Sequence, residues 1–97
     1  MKRQDEYISL LQSHSDELRQ EFGVSSLRIF GSVARNEQHD DSDIDICVEM
    51  QPRIFLLIAL KEKLEQLLGC PVDVVRRHRN MNPIFEEEIN RSCVYVF

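Results

Sequence analysis

The sequence predicts a small α/β (α+β) domain spanning residues 1–97, a mixed β-sheet with helices packed on it. Three observations predict it. The length of 97 residues suits a single hydrophobic core, because two cores at this length would each be marginal. A composition of 42% hydrophobic and 30% charged residues is that of a globular chain rather than a disordered one. Short β-prone runs alternate with stretches of helical periodicity in the order α-β-α-β-α-β-α-β, the pattern of helices layered on a sheet.

Each element has its own warrant. Ile8, Leu11, Leu18 and Phe22 recur at near-helical spacing, so residues 5–21 read as one amphipathic helix that Gly23 stops. Leu27-Arg28-Ile29-Phe30 is a short strand, followed by a Gly31-Ser32 turn and a brief helical turn at Val33-Ala34-Arg35. Residues 36–42 are polar and acidic and read as a loop; residues 43–48 then alternate as a strand does, and Pro52 closes that unit. From Ile54 to Leu68 the apolar residues trace one helical face, with Gly69 as the stop. Pro71 to Val75 is a third strand. Asn82-Pro83 has the form of a cap and first-turn proline for a helix reaching Arg91, and residues 93–97 form a final short strand.

Several function classes are excluded or disfavoured. No apolar run approaches the roughly 20 residues that cross a bilayer, and residues 1–6 lead into no secretory segment, so a cytoplasmic location is expected and no membrane role. Cys47, Cys70 and Cys93 lack the close pairing of a zinc or redox motif and read as reduced thiols. His14, His39 and His78 show no metal-ligand spacing. Tyr7 and Tyr95 read as packing residues with polar tips rather than sites of self-modification. A net charge of -5 argues against an extended nucleic acid as partner and favours a protein or small-molecule acceptor.

The acidic residues carry the chemistry. In a strand Asp43 and Asp45 project to one face while Ile44 and Ile46 project to the other. Like charges so close oppose each other unless a cation lies between them, and Mg²⁺ prefers such oxygen ligands. Asp73 interrupts the apolar run Val72-Asp73-Val74-Val75, where a buried carboxylate without a partner is costly, and a neighbouring metal gives it a reason to be there. Two ions held by these acids can bind a triphosphate and stabilise a leaving pyrophosphate during in-line attack. At Gly31-Ser32 a missing Cβ lets backbone N–H groups approach a phosphate, and Arg35 one turn on adds positive charge. Singly, each feature has a plainer reading: strand aspartates solubilise edges, Gly-Ser is a common turn, and Arg35 balances an acidic loop.

It is their combination that is specific. Gly31-Ser32, ten intervening residues and Asp43-Ile44-Asp45 resemble the G-S-x10-D-x-D signature of the DNA polymerase beta-like nucleotidyltransferase superfamily. Phe30-Gly31-Ser32-Val33-Ala34-Arg35, Ser42-Asp43-Ile44-Asp45 and Pro71-Val72-Asp73-Val74-Val75 are similar to its minimal nucleotidyltransferase (MNT) branch over essentially the whole chain. The resemblance implies the nucleotidyltransferase fold and an antitoxin that moves AMP from ATP to a tyrosine hydroxyl of an HEPN-domain toxin. It assigns Gly31 and Ser32 to the nucleotide phosphates and Asp43, Asp45 and Asp73 to two Mg²⁺ ions, and Arg35 matches a frequent family position. Many relatives carry Gly where this chain has Asn36, and the segment 50–53 looks shorter than in many of them. Larger members add a helical domain over the site, so here a second copy of the chain or the toxin is expected to complete it. Two alternatives stay open at this point: transfer to a small-molecule hydroxyl with a partner chain, and an antitoxin that neutralises by binding alone.

Overall fold

The computed structural model describes residues 2–97, leaving Met1 outside the described residues. Four strands, β1 (Ser26–Phe30), β2 (Ile44–Glu49), β3 (Val72–Arg76) and β4 (Cys93–Tyr95), form one mixed sheet in the order β3-β2-β1-β4. β1 runs antiparallel to both β2 and β4, whereas β2 and β3 are parallel. A parallel pair needs a crossover, supplied here by the helix between those two strands.

Alternation along the strands separates two faces. Leu27, Ile29, Ile44, Ile46, Val48 and Val72 face one side, where α1 (Gln4–Ser13), α2 (Ser15–Phe22) and the crossover helix cover them with Tyr7, Leu11, Leu18, Leu60, Leu64 and Leu68. On the other side Cys47, Met81 and Ile89 are buried, with Phe30 and Val75 packed against them. The helix α5 (Pro83–Arg91) covers this second face through Ile89, whereas α3 (Gly31–Ala34), following β1, buries Val33 in the first core; the crossover helix is α4 (Ile54–Leu68). Asp45 and Asp73 lie on this second, partly covered face, in register with each other.

The expected first helix is two helices. Ser13 Oγ donates to the Leu10 carbonyl at 2.7 Å and His14 Nδ1 lies 2.9 Å from the same oxygen, while the His14 N–H turns to the Leu11 carbonyl. Side chains therefore occupy the acceptor that the next helical turn needs, and the chain kinks at His14 (φ −108°, ψ 13°) before resuming at Ser15. The last strand is shorter than expected: beyond Tyr95, the N–H groups of Val96 and Phe97 both converge on the Leu27 carbonyl, and two residues opposing one end the regular ladder. The helix cap at Asn82 is as expected, its side chain accepting from the Ile84 N–H at 2.9 Å. Tyr7 is buried, and Tyr95 accepts a hydrogen bond from Arg28. Among the described residues no helix is long and apolar enough to cross a membrane.

Candidate active site

The end of β1 and the start of β2 are built around one close approach. Phe30 is the register partner of Asp45, and the chain turns immediately afterwards at Gly31 with φ +72°. A Cβ on Gly31 would overlap Asp45 Oδ2 and stand 3.1 Å from its Cγ, so no other residue fits without displacing the carboxylate. Ser32 follows, half-buried, in the single turn of α3. That turn is closed by hydrogen bonds from the Arg35 N–H to the Gly31 and Ser32 carbonyls and from the Glu37 N–H to the Ser32 carbonyl at 2.8 Å. From the far side of the sequence, the Gln4 side-chain amide donates to the carbonyls of Val33 (3.0 Å) and Ala34 (2.9 Å). The N-terminal helix thus holds the Gly31-Ser32 turn in place.

The carboxylates gather at the same end of the second face. Asp45 is half-buried in β2 and lies in register with Asp73 of β3, while Asp43 is exposed just before the strand begins. Burial pushes the Asp45 carboxyl above its ordinary value, and the charges of Asp73 and Asp43 push it further; Arg35 pulls the other way. All three acids therefore share one electrostatic site. The expectation that Asp73 is a buried carboxylate does not hold: β3 is an edge strand and Asp73 is exposed, so its proximity to Asp45, not the cost of burial, marks it. Arg35 is exposed and its Nε donates to Glu37 at 3.0 Å, so it faces the site already paired.

The donor chemistry suits a hard divalent cation. Among the described residues no three His, Cys, Asp or Glu side chains converge closely enough to hold an ion by themselves. Mg²⁺ characteristically binds one or two carboxylates together with substrate phosphates and water rather than a cage made only of protein. A half-buried Asp45 held against two like charges fits that pattern, because a cation removes the repulsion.

Beside Gly31 a cleft of about 430 Å³ opens between Phe30, Gly31 and Arg35 on one side and Phe85, Ile89 and Arg91 of α5 on the other. A larger hollow of about 700 Å³ surrounds Glu49, Arg77, His78 and Glu86, but it shares no residue with the aspartates or the glycine turn. Residue chemistry therefore selects the smaller cleft. Sequence reasoning passed over three contributors. Gln4 gave no signal. Arg28 read as one residue of a strand, yet it is 3% exposed and donates to Asn90 (2.9 Å) and Tyr95 (3.0 Å), tying α5 to β1 and β4. Phe85 precedes the buried Ile89 by one helical turn, a spacing that was legible.

Comparison with known proteins agrees with this geometry. The nucleotidyltransferase domain family matches residues 11–95. The protein adenylyltransferase MntA of Thermococcus cleftensis is 40% identical over 94 residues, which cover 95% of this chain and 94% of that relative. A solved candidate minimal nucleotidyltransferase superposes with a TM-score of 0.77 at 30% identity, covering 96% of this chain and 95% of its own. The complex of a tri-AMPylated Shewanella oneidensis HEPN toxin with its MNT antitoxin contains a chain matching with a TM-score of 0.65 at 19% identity, over 93% of this chain and 71% of that one, a likeness of fold. With the glycine turn packed on the first strand aspartate and a family match over most of its length, the chain belongs to the nucleotidyltransferase family, in its minimal, MntA-like branch.

Proposed function

We propose that this chain is the antitoxin of an HEPN/MNT pair, a single cytoplasmic domain that transfers AMP from ATP to a tyrosine hydroxyl of its cognate HEPN toxin. The observation that carries the proposal is the seating of Gly31 on Asp45 with Asp73 in register beside it, which sets the glycine turn directly against a cluster of carboxylates. The name of the Thermococcus cleftensis relative supports protein adenylylation, and the Shewanella oneidensis complex supports an HEPN toxin as acceptor.

In this reading the Gly31 and Ser32 backbone and the Ser32 hydroxyl bind the triphosphate, and Arg35 leaves Glu37 to add charge. Asp43, Asp45 and Asp73 would hold two Mg²⁺ ions, which neutralise the phosphates and the departing pyrophosphate. The acceptor oxygen forms a bond to the α-phosphorus, the bond from that phosphorus to the bridging oxygen breaks, and pyrophosphate leaves. Asp73, an exposed member of the cluster, takes the acceptor proton. Asp43 and Asp73 are exposed, so the toxin or a second copy of the chain would exclude water from the site.

The test is intact-mass analysis of the co-expressed toxin after incubation with this protein, Mg²⁺ and ATP, beside an Asp43→Ala/Asp45→Ala variant. Added AMP with the wild type and none with the variant is expected. An unmodified toxin that is still neutralised by both proteins would replace transfer with masking.

A further inference from the structure

We infer that the cleft between the Phe30-Gly31 corner and α5 receives the purine of the nucleotide, and that Phe85 is the residue that stacks on it. The inference rests on the function proposed above and assigns its nucleoside end. The cleft begins at Gly31, the residue seated on Asp45, so a triphosphate lying along the glycine turn extends naturally into it. Its volume of about 430 Å³ lies within the range of small-molecule sites.

The walls suit a flat heterocycle. Phe85 is 41% exposed and meets Phe30 edge-on, with ring centroids 6.3 Å apart and planes at 64°, so the two rings form an angled aromatic corner. Exposure alone would not single it out: its neighbour Ile84 is 73% exposed and does not line the cleft. The helix that carries Phe85 is also tied to the rest of the fold. Immediately after it Glu86 is clamped by Arg77 at 2.9 Å, and further along α5 Asn90 is held by the buried Arg28 at 2.9 Å. Arg35, Glu88 and Arg91 line the same cleft, and the two guanidiniums meet the ligand's phosphate end by leaving Glu37 and Glu87, their partners here.

Stacking of a base on an aromatic side chain corresponds to roughly a five- to hundred-fold change in affinity. Calorimetric titration in Mg²⁺ of the wild type, Phe85→Leu and Phe85→Trp, each with ATP and with inorganic tripolyphosphate, tests the assignment. Phe85→Leu is expected to weaken ATP about tenfold while leaving tripolyphosphate within about twofold, and Phe85→Trp to restore ATP binding. Equal losses for both ligands, or no loss of ATP binding, would overturn the purine site. A wild type that binds ATP no more tightly than tripolyphosphate would overturn it too, while leaving the phosphate and metal reading intact. Failure of the wild type to bind either ligand would overturn both.

Discussion

Gly31 and Asp45 share a space that admits only one side chain: the position a Cβ would take on Gly31 belongs to Asp45 Oδ2. Gly31→Ala therefore meets two costs, the left-handed φ of +72°, about 1–2 kcal/mol for a residue with a Cβ, and displacement of the carboxylate. Gly23 separates them, since it has φ +69° with nothing within 4 Å of where a Cβ would stand. We expect Gly23→Ala to lose about 1–2 kcal/mol in urea denaturation and Gly31→Ala more than that, and Gly31→Ala alone to lose AMP transfer per folded molecule by at least about a hundredfold. Full activity in Gly31→Ala would mean that Asp45 need not sit where it does.

Asp45 is kept at the expense of stability. Its folded pKa is raised above the ordinary 3.8 by burial, Asp73 and Asp43, so the ionised form is disfavoured in the fold. A raised pKa contributes stability that is present below 3.8 and is lost as pH rises through the higher folded value. Without metal, Asp45→Asn is then expected to be more stable than the wild type near neutral pH by roughly 0.5–1 kcal/mol, the size of an opposed like-charge pair, and the difference should shrink toward pH 3.8. Thermal melts in EDTA across this range check it. A variant less stable than the wild type at neutral pH contradicts the electrostatic account, whereas its loss of AMP transfer is expected in either case.

The positions of the three aspartates were more legible than the packing around them. Asp43, Asp45 and Asp73 stand at sequence positions set by strand alternation and motif spacing, and the strands appear within a residue or two of where alternation put them. The helix of residues 54–68 ends at Gly69 as its periodicity required. What alternation cannot encode is which strand lies at an edge, and that is why Asp73 was expected to be buried. Nor can it encode competition for one carbonyl, which splits the first helix at His14, or contacts across long sequence separations. Gln4 reaching Val33 and Ala34 is of that last kind.

That Gln4 contact makes its own prediction. A one-turn helix has few bonds of its own, and the Gln4 amide satisfies two of its last carbonyls. Gln4→Ala is expected to cost about 1–3 kcal/mol, on the scale of two net hydrogen bonds, and to speed amide hydrogen exchange locally at residues 32–36. Faster exchange spread evenly over the sheet would point to general destabilisation instead.

Arg35 and Glu37 are both exposed, so their ion pair contributes under about 1 kcal/mol to stability. Its consequence is functional: Glu37 competes with phosphate for the guanidinium. Glu37→Ala is expected to lower KM for ATP a few-fold and Arg35→Ala to raise it about three- to tenfold, both effects fading at high salt as screening grows. Unchanged unfolding midpoints together with these opposite KM shifts would establish the competition, and parallel shifts would refute it.

Asn36 is the one non-glycine among the described residues with positive φ, at 57°. It stands where the α3 turn passes into the loop leading to Asp43, its N–H donating to the Val33 carbonyl at 3.1 Å. Glycine and asparagine satisfy the same backbone demand, since asparagine is among the side chains that best tolerate the left-handed region. Asn36→Gly is therefore expected to leave stability within about 0.5 kcal/mol, the relief of strain being offset by a freer unfolded chain. Asn36→Val puts a branched Cβ in that conformation and is expected to cost about 2 kcal/mol. Because the segment joins the glycine turn to the first aspartate, the valine variant should also raise KM for ATP, while the glycine variant should leave it unchanged. Urea denaturation beside ATP titration separates the two effects, and a valine variant as stable as the wild type would show that the turn can re-form with ordinary φ.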